Sequence, residues 1–368
     1  MKTYALTPLD AWFFRDGRPY EEKEANQADV VSVFPPPART LSGALRAALS
    51  RANGWSGRGP WSDALNRAFG SGPDELGALQ FMGPFLISNN EAFWPLPRQV
   101  LGRVAETWTP RAFLRPADAK TLCDMGDINL PIIALSPGEK RDGLKPAETA
   151  WITTAGLSTL LAGGLPKAEA VVDVKKLWTL EPRVGLRRDE TTRTTGEGAL
   201  YSPSYVRLHR GVMLGVGVVG VPASMNNVPE IFPLGGESRL ARCEAWSGET
   251  LPAPVPREKF SPDAAGSIEF TVVLLTPGRF TAPDLPGAKM VSACVGKPQF
   301  IGGWDSLERQ PLPLEPFAPS GSVWFCTAAR SDFDAIHARH SQHLGSHAVH
   351  GFGQIAIGLW PTAHPQQP

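Results

Sequence analysis

The chain has 368 residues, of which 42% are hydrophobic, so it is long enough for two domains that each bury a core. Its 36 basic and 36 acidic side chains give a formal net charge of zero, which argues against broad non-specific nucleic-acid binding and confines any such site to a local patch. The four cysteines include no C-x-x-C pair, which excludes zinc-ribbon and redox motifs and fits a reducing cytosol. Residues 1–8 carry no apolar signal core, and the longest apolar run, residues 212–221, is too short to span a bilayer, so we expect a cytoplasmic protein.

The first predicted elements are a strand over residues 2–7 and a helix over residues 39–52. Between them, Asp16-Gly17 indicates a turn that is flanked by Arg15 and Arg18. One face of the helix is apolar and carries Leu41, Leu45, Ala48 and Leu49. The opposite face has polar or small residues at i, i+3, i+4 and i+7, namely Arg39, Ser42, Gly43 and Arg46.

The polar face of this helix has two interpretations. In the first, Gly43 lets a phosphate approach the helix backbone, and the guanidinium groups of Arg39 and Arg46 clamp its oxygens in bidentate fashion. In the second, the helix is a plain amphipathic one whose polar face is solvated. Periodicity alone leaves both interpretations open.

Residues 54–180 are rich in Trp, Pro and Gly and predict a long insertion with irregular connections. The segment contains more large aromatic side chains than loops usually need. Because Trp is enriched at interfaces, some of these residues are expected to anchor a protein partner. They are Trp55, Trp61, Trp94, Trp108 and Trp151.

An arginine-rich stretch extends over residues 183–193. Arg and Thr side chains suit contacts to phosphates and 2′-hydroxyls, and tyrosines close by offer stacking surfaces for unpaired bases. Asp189 and Glu190 partly neutralise the stretch, so a solvated loop is the alternative. The residues concerned are Arg183, Arg187, Arg188, Thr191, Thr192, Arg193, Thr194, Thr195, Tyr201 and Tyr205.

The second half of the chain predicts buried strands over residues 212–221, 268–275 and 322–327. Ser331, with Asp334 three residues later, predicts a capping box that opens a helix. The side chains expected along one side of that helix are Phe333, Ile336, His340 and Leu344.

A final strand is predicted after the glycines at 351 and 353, with Ile355, Ile357 and Leu359 alternating with smaller residues. The order of strand, helix and strand in the second half echoes the strand and helix of the first. We therefore predict an α+β fold of two related domains, residues 1–200 and residues 201–368.

Glycine clusters occur at residues 234–239, 301–305 and 351–353. Such clusters let backbone N–H groups point together at an anion, or let a nucleotide lie against the main chain. Taken singly, such a cluster is more often a turn or a bulge. None is followed by G-K-[ST], so none is a Walker motif, and none has the G-x-G-x-x-G context of a dinucleotide fold.

Five of the seven histidines fall between residues 337 and 350. His343 and His347 have the i, i+4 spacing that holds zinc on a helix, but no H-E-x-x-H motif or suitably spaced acidic ligand accompanies them. A general acid–base histidine of a ribonuclease, such as His350, is a second interpretation, and structural or solvated histidines are a third. The cluster comprises His337, His340, His343, His347 and His350.

Several motifs, taken in order along the chain, resemble the RAMP superfamily of CRISPR proteins. Residues 8–19 are similar to the family's opening motif, and residues 34–46 resemble its first helix. Residues 185–208, with Thr192-Arg193-Thr194 and Glu197-Gly198-Ala199-Leu200-Tyr201, resemble the signature of the third subunit of the Cmr (type III-B) module. The three glycine clusters fit the same family, except that its usual Gly-Gly-Glu-Gly run ends here in Ser238.

The resemblance implies two tandem ferredoxin-like (RRM/RAMP-type) domains with long insertions and glycine-rich loops. It also implies a non-catalytic, cofactor-free subunit that holds the 5′ tag of the CRISPR RNA and contacts the large palm-domain subunit and the first backbone subunit. In such complexes base pairing reads the target sequence, while the protein reads backbone and shape. A metal-independent RAMP endoribonuclease acting on CRISPR repeat RNA, and a pure assembly bracket, are the alternative hypotheses.

The expected RNA contacts combine phosphate-clamping arginines, glycines that allow close approach, and aromatic side chains that are either stacking surfaces or core. No metal ligand is expected. The predicted contact residues are Arg15, Arg18, Arg39, Gly43, Arg46, Arg187, Arg188, Thr192, Arg193, Tyr201, Gly235, Gly236, Arg239, Trp304, His350, Gly351, Phe352 and Gly353.

Overall fold

The structure is a computed structural model and describes residues 1–15, 29–104, 108–123, 126–135, 138–186, 191–192, 194, 200–263, 265–305 and 308–361. Over these residues it is an α+β fold with few helices and mostly antiparallel sheets. The helices are α1 (Ala38–Ala52), α2 (Asp63–Phe69), α3 (Thr154–Leu161) and α4 (Arg330–His337). The strands are β1 (Lys2–Pro8), β2 (Asp29–Val31), β3 (Gln80–Ser88), β4 (Glu91–Pro95), β5 (Val100–Val104), β6 (Trp108–Pro116), β7 (Thr121–Cys123), β8 (Gly126–Ile128), β9 (Pro131–Leu135), β10 (Lys145–Pro146), β11 (Ala150–Thr153), β12 (Val171–Asp173), β13 (Trp178–Pro182), β14 (Gly185–Leu186), β15 (Leu200–Leu208), β16 (Val212–Val219), β17 (Ile231–Pro233), β18 (Leu240–Ala245), β19 (Ser267–Leu274), β20 (Lys289–Cys294), β21 (Gln299–Asp305), β22 (Gln310–Phe317), β23 (Val323–Ala329) and β24 (Ile355–Gly358).

The chain forms two compact units, each assembled from three separate stretches of sequence. Unit 1 comprises Met1–Asn89, Lys175–Ser247 and Phe300–Pro316. Unit 2 comprises Asn90–Val174, Gly248–Gln299 and Phe317–Pro368. The units differ from the predicted domains, since the predicted boundary at residue 200 falls at the first residue of β15, inside unit 1. The α+β class is confirmed, but segments distant in sequence pair within each unit, and local patterns do not reveal such pairing.

Unit 1 is built around an antiparallel sheet in which β1 lies between β16 and β18, with β3 and β17 outside them. Leu6 of β1 is directly opposite Leu214 of β16, and both side chains are fully buried. Helix α1 packs on this sheet through the apolar face that its periodicity predicts, with Leu41, Leu45 and Leu49 buried.

A second, smaller sheet of unit 1 has β15 at its centre. Strand β13 pairs antiparallel along most of β15, β14 pairs with its first residues, and β2 pairs parallel with it. Trp12 adds an antiparallel bridge to Val206 of β15, and both side chains are fully buried. This bridge holds the segment that follows β1 against β15.

Unit 2 contains an antiparallel sheet in the order β20-β23-β19-β24, and α4 connects β23 to β24. The sheet β10-β5-β6-β9 and the three strands β12-β11-β4 complete the unit. The predicted strands at 212–221, 268–275 and 322–327 are confirmed as β16, β19 and β23. No helix in the described part of the chain is long and apolar enough to cross a membrane.

The segment 54–180 is regular, in contrast to the irregular insertion that was predicted, and it supplies β3 to the sheet of unit 1. Its tryptophans mostly make contacts within the chain, and the buried Trp94 and Trp151 are not available as partner anchors. For the partly exposed Trp55, Trp61 and Trp108 the anchoring role stays a prediction. Trp94 and Trp151 are buried, Trp108 donates a 3.2 Å hydrogen bond to the Lys145 carbonyl, and the rings of Trp55 and Trp61 lie 5.9 Å apart.

Helix α4 is shorter than predicted and lacks the predicted capping box. Its N-cap is Ala329, without a side-chain hydrogen bond, while the Asp334 carboxylate instead accepts from Arg257 at 2.5 Å. Phe333 and Ile336 are buried as predicted, but His340 and Leu344 lie beyond the last helical residue.

Arg46 is the residue on which the packing beside α1 depends. Its guanidinium group is buried and donates to the carbonyl oxygens of Phe69, Gly70, Gly72 and Glu75 at 2.8–3.3 Å. Burial lowers the pKa of Arg46 below its ordinary value, partly opposed by the charge of Glu75. The polar stripe of α1 is therefore an internal attachment for the loop at residues 69–75 and not a solvated face.

We expect Arg46→Lys to lower the free energy of unfolding by about 2–3 kcal/mol, because an ammonium group keeps the charge but cannot reach four carbonyl groups in a fixed fork. Arg39→Lys is the matched control. Arg39 forms a 2.7 Å ion pair with the exposed carboxylate of Asp74, so its replacement should change stability by less than about 1 kcal/mol. Chemical denaturation measures both, and equal losses would contradict the assignment.

Candidate nucleic-acid interface

Three arginines of unit 1 converge on the carboxylate of Asp10, which follows β1. Arg183 and Arg207 donate from Nη2 at 2.9 and 3.0 Å, and Arg239 donates from Nη1 at 3.3 Å. These arginines come from the loop after β13, from β15 and from the residue before β18. Charge-assisted bonds to one carboxylate thus hold together parts of the chain that are far apart in sequence.

Glu181 and Tyr205 complete this arginine cluster. They lie opposite each other on β13 and β15. Glu181 accepts from Nε of Arg183 at 2.7 Å and also from Nε of Arg207. The guanidinium carbons of Arg183 and Arg239 lie 4.8 and 4.4 Å from the centre of the buried Tyr205 ring. Stacking on one aromatic ring orients both guanidinium planes.

The cluster retains an excess positive charge at neutral pH. Hydrogen bonds from Arg183 and Arg207 lower the pKa of Asp10, and bonds from Arg207 and Arg183 lower the pKa of Glu181. Both carboxylates are therefore ionised, and three arginines face two acids. The side chains of Asp10, Arg183 and Arg207 remain 47%, 31% and 43% exposed, so an anion in solvent has access to the cluster.

The first glycine cluster lies beside these arginines as an exposed turn. Gly236 donates its backbone N–H to the Phe13 carbonyl at 2.8 Å, and Leu234 N–H bonds to the carbonyl of Arg239 at 2.9 Å. Gly235 has a φ of 85°, and a Cβ there would lie 2.5 Å from the Phe13 oxygen, so only glycine fits. The turn thereby places Arg239 next to Tyr205.

Ser238, which stands where the resembling family has glycine, adopts the left-handed conformation with a φ of 52°. The loop shape that glycine allows is thus reached by serine at a conformational cost.

The other predicted contacts of this region are only partly described. Arg15 is exposed and bridges Ser32, and Thr192 is exposed with its hydroxyl 2.8 Å from that of Thr194. The backbone of Tyr201 belongs to β15 and pairs with Gly185. Arg18, Arg187, Arg188 and Arg193 lie outside the described residues.

The predicted clamp on α1 is contradicted by the geometry, because Arg46 is buried against four carbonyl groups. Arg39 is paired with Asp74, and its side chain is only 17% exposed. Gly43 is exposed, and a Cβ at this position would meet nothing within 4 Å. Of the three residues predicted to cradle a phosphate, Gly43 alone is exposed.

The third glycine cluster is part of the core of unit 2, where His350, Gly351, Phe352 and Gly353 are all buried. The Thr276 hydroxyl donates to the Gly351 carbonyl at 2.7 Å, and a Cβ on Gly353 would collide with the Leu344 carbonyl oxygen. The requirement for glycine here comes from close packing, and the predicted direct RNA contact of these residues is wrong in this structure.

The interpretation of His343 and His347 as an i, i+4 pair on a helix does not hold, because both residues follow the end of α4. The Nε2 atoms of His337 and His340 lie 2.7 and 3.1 Å from the carbonyls of Val255 and Pro252. Burial lowers the pKa of His340, and it lowers the pKa of His343 to about 4. No cluster of three or more potential metal ligands occurs among the described residues.

Comparison with known proteins identifies the family. The model of the family described as CRISPR-associated protein (Cas_Cmr3) matches residues 4–360. The chain belongs to this family. The sequence-based assignment to the Cmr branch of the CRISPR proteins is thereby confirmed. A search among curated proteins found no match.

One of the matching solved structures shows a similar fold. A chain from the cryo-EM structure of the type III-B Cmr-beta bound to cognate target RNA and AMPPnP is 18% identical, with a TM-score of 0.51 over 92% of this chain and 89% of that one. A chain from the Cmr-beta structure with cognate target RNA gives 17% identity and a TM-score of 0.49 over the same shares. A chain from the crystal structure of the Csm3-Csm4 subcomplex in the type III-A CRISPR-Cas interference complex is 11% identical. Its TM-score is 0.36, over 88% of this chain and 92% of that one.

Several residues that hold the arginine cluster together in this member of the Cas_Cmr3 family were not predicted from its sequence. Asp10 was part of a motif without a role, Glu181 was not considered, and Arg207 was not singled out. A usable signal was present, since Tyr205 and Arg207 are two residues apart on a strand and therefore share a face. The pairing of that face with Asp10 is a long-range contact that no local pattern reveals.

We expect Ser238→Gly to raise the free energy of unfolding by about 0.5–1 kcal/mol. Relief of the left-handed strain should exceed the additional entropy that glycine gives the unfolded chain. Ser261→Gly, at an exposed position whose φ lies outside the left-handed region, is the control and should lower stability. Denaturant titration distinguishes the two, and a loss in both variants would show that the turn carries no strain.

We expect the free energy of unfolding to decrease by about 1–2 kcal/mol between pH 7 and pH 5 because of His343. Its folded pKa of about 4 lies below the unfolded value, so the unfolded chain binds the proton first as the pH falls below about 6.5. In His343→Gln this decrease should be smaller by that amount. His209→Gln, at an exposed histidine, is the control, and an unchanged pH dependence in the His343 variant would contradict the assignment.

Proposed function

We propose that the protein is a non-catalytic RNA-binding subunit of a type III-B CRISPR effector complex and that it holds the 5′ tag of the CRISPR RNA on unit 1. The observation that carries the proposal is the convergence of Arg183, Arg207 and Arg239 on one carboxylate beside an exposed glycine turn. Family membership supports the assignment to CRISPR defence. The similar fold of a chain that belongs to a type III-B assembly bound to target RNA agrees with it.

The arginine cluster fits a single-stranded RNA backbone better than it fits a metal or a small neutral ligand. Guanidinium groups oriented by carboxylates and by Tyr205 lose little entropy when they bind phosphate oxygens. The exposed turn at Gly235 and Gly236 leaves room for a nucleotide beside the main chain. Arg187, Arg188 and Arg193 extend the same sequence region and add positive charge.

The strand orders of the two units support the tandem ferredoxin-like part of the proposal. In chain order, β1, β3, β16 and β18 of unit 1 take the spatial order second, third, first, fourth. The strands β19, β20, β23 and β24 of unit 2 take the same order. Helix α1 connects the first pair in unit 1, and α4 connects the last pair in unit 2. This strand order, with one connecting helix in each unit, is the one expected of a ferredoxin-like sheet and supports the proposal of two such domains.

The remaining features of the proposal concern partners and catalysis. As a subunit, the protein contacts the large palm-domain subunit and the first backbone subunit, in the cytoplasm. Absence of catalysis is supported by the histidine cluster, because His337 and His340 engage carbonyl oxygens and His350 is buried. The ribonuclease alternative requires a histidine with access to RNA.

The test compares Arg239→Gln with Arg257→Gln in binding of a single-stranded RNA that carries the tag. Arg257 is a matched control, since it also pairs with a carboxylate and lies over an aromatic ring, 4.7 Å from Phe333, but it belongs to unit 2. Loss of one charged hydrogen bond to phosphate should weaken binding about tenfold and reduce the salt dependence by about one counterion. We expect this for Arg239→Gln and no change for Arg257→Gln.

Further variants and control RNAs distinguish the proposed function from the assembly-bracket and ribonuclease alternatives. Gly43→Leu should leave the affinity for tag RNA unchanged. A loss of RNA affinity in this variant would show that α1 is part of the RNA site. Equal losses in both arginine variants would refute the arginine cluster as the interface, and equal affinity for a scrambled tag would favour the assembly bracket. The RNA should remain full length with or without Mg²⁺, and cleavage that disappears in His350→Ala would establish the ribonuclease alternative.

A further inference from the structure

The hairpin β21–β22 of unit 1 presents aromatic side chains to solvent. Phe300 is 64% exposed and Trp304 is 61% exposed. Among the side chains that the structure describes, these two alone are both aromatic and more than half exposed. Four positions separate them on one strand, so they point to the same face, with Gly302 between them. Leu314 of β22 is a further exposed apolar residue of the hairpin, at 37%.

The opposite face of β21 is the one that packs inward. Ile301 is buried, and a Cβ on Gly303 would lie 3.1 Å from Leu312 Cδ1 and 3.6 Å from Arg39 Cδ. The hairpin thus packs against unit 1 through the face that carries Ile301 and Gly303. No element among the described residues covers its aromatic face. Trp304 is accordingly neither core nor part of the arginine cluster.

The charge of the hairpin distinguishes a protein partner from RNA. Residues 299–317 contain Asp305, Glu308 and Glu315 against one basic residue, Arg309. A net negative surface repels the phosphate backbone, whereas base-stacking platforms in RNA-binding proteins are accompanied by positive charge. Aromatic residues surrounded by charged ones are instead the composition of the centre and rim of a protein interface.

The edge of the hairpin restricts how a partner binds. Pro311 and Pro313 of β22 have no backbone N–H, so this strand is poorly suited to the addition of a partner strand. Contact through the aromatic face remains, in which the exposed side chains of Phe300 and Trp304 themselves enter a pocket of the partner.

We propose that Phe300 and Trp304 form a docking surface for a protein subunit that presents an apolar pocket with a basic rim. The proposal rests on the proposed function, since it takes the partner to be a subunit of the same effector complex. It assigns Trp304, predicted from sequence as a base-stacking residue, to protein recognition. Exposed Trp residues inserted in such pockets commonly dominate binding energy.

The experiment uses the full-length chain co-expressed with the large palm-domain subunit and the backbone subunit. Assembly is measured by co-purification and by titration of the purified partner, and tag RNA affinity is measured on the isolated chain. We expect Phe300→Ala with Trp304→Ala to weaken the association with one subunit at least tenfold, with unchanged thermal midpoint and unchanged RNA affinity. Glu308→Lys should weaken the same association, and added salt should weaken it in the parent chain.

Leu122→Ser is the control, because Leu122 is an apolar residue of unit 2 that is 81% exposed. Assembly of the double variant at parental affinity would overturn the inference, as would an equal loss in Leu122→Ser or tighter association in Glu308→Lys. Reduced RNA affinity with intact assembly would instead identify Phe300 and Trp304 as base-stacking residues. If the parent chain associates with neither subunit, the proposed function fails, which is distinct from a failure seen only in the variants.

Discussion

The carboxylate of Asp10 is the constraint on which the surface of unit 1 depends. The three arginines that bind it follow it in the sequence by 173, 197 and 229 residues. Guanidinium groups repel one another, so three of them gather in one place only if anions lie between them. Asp10 and Glu181 supply those anions, and their own pKa values are lowered in return. The arrangement concentrates positive charge while fixing the direction in which each arginine points.

The same constraint joins motifs that are separate in the sequence. The segment after β1 contacts β15 through the bridge from Trp12 to Val206, and it contacts the glycine turn through the Phe13 carbonyl. The opening motif, the first residue of the arginine-rich stretch and the first glycine cluster are therefore parts of one surface. Their order along the chain resembles the family, but their common location follows only from long-range pairing.

Periodicity predicted the local elements because it is a local property. The helix at α1 and the strands β1, β16, β19, β23 and β24 were all recognisable from spacing and turn signals. The role of Arg46 was not recognisable, since an arginine on a polar stripe looks the same whether its partners are water molecules or the carbonyls of residues 69–75. Gly235 and Gly353 show the same limit. Each is a glycine of similar context in sequence, yet one lies in an exposed turn and the other fits against a buried carbonyl.

The neutral formal charge of the chain has a structural counterpart in the pairing of its arginines. Arg39, Arg183, Arg207, Arg239 and Arg257 all engage carboxylates, so little positive charge is left unpaired in these places. Formal charge is unbalanced locally in two places: the arginine cluster has one more cation than anions, and residues 299–317 contain two more acids than bases. A uniformly basic chain would attract RNA to every face, including one used for a protein partner. Under the proposed function, local charges of opposite sign direct RNA to the arginine cluster and a basic protein subunit to the β21–β22 hairpin, which a subunit of a ribonucleoprotein requires.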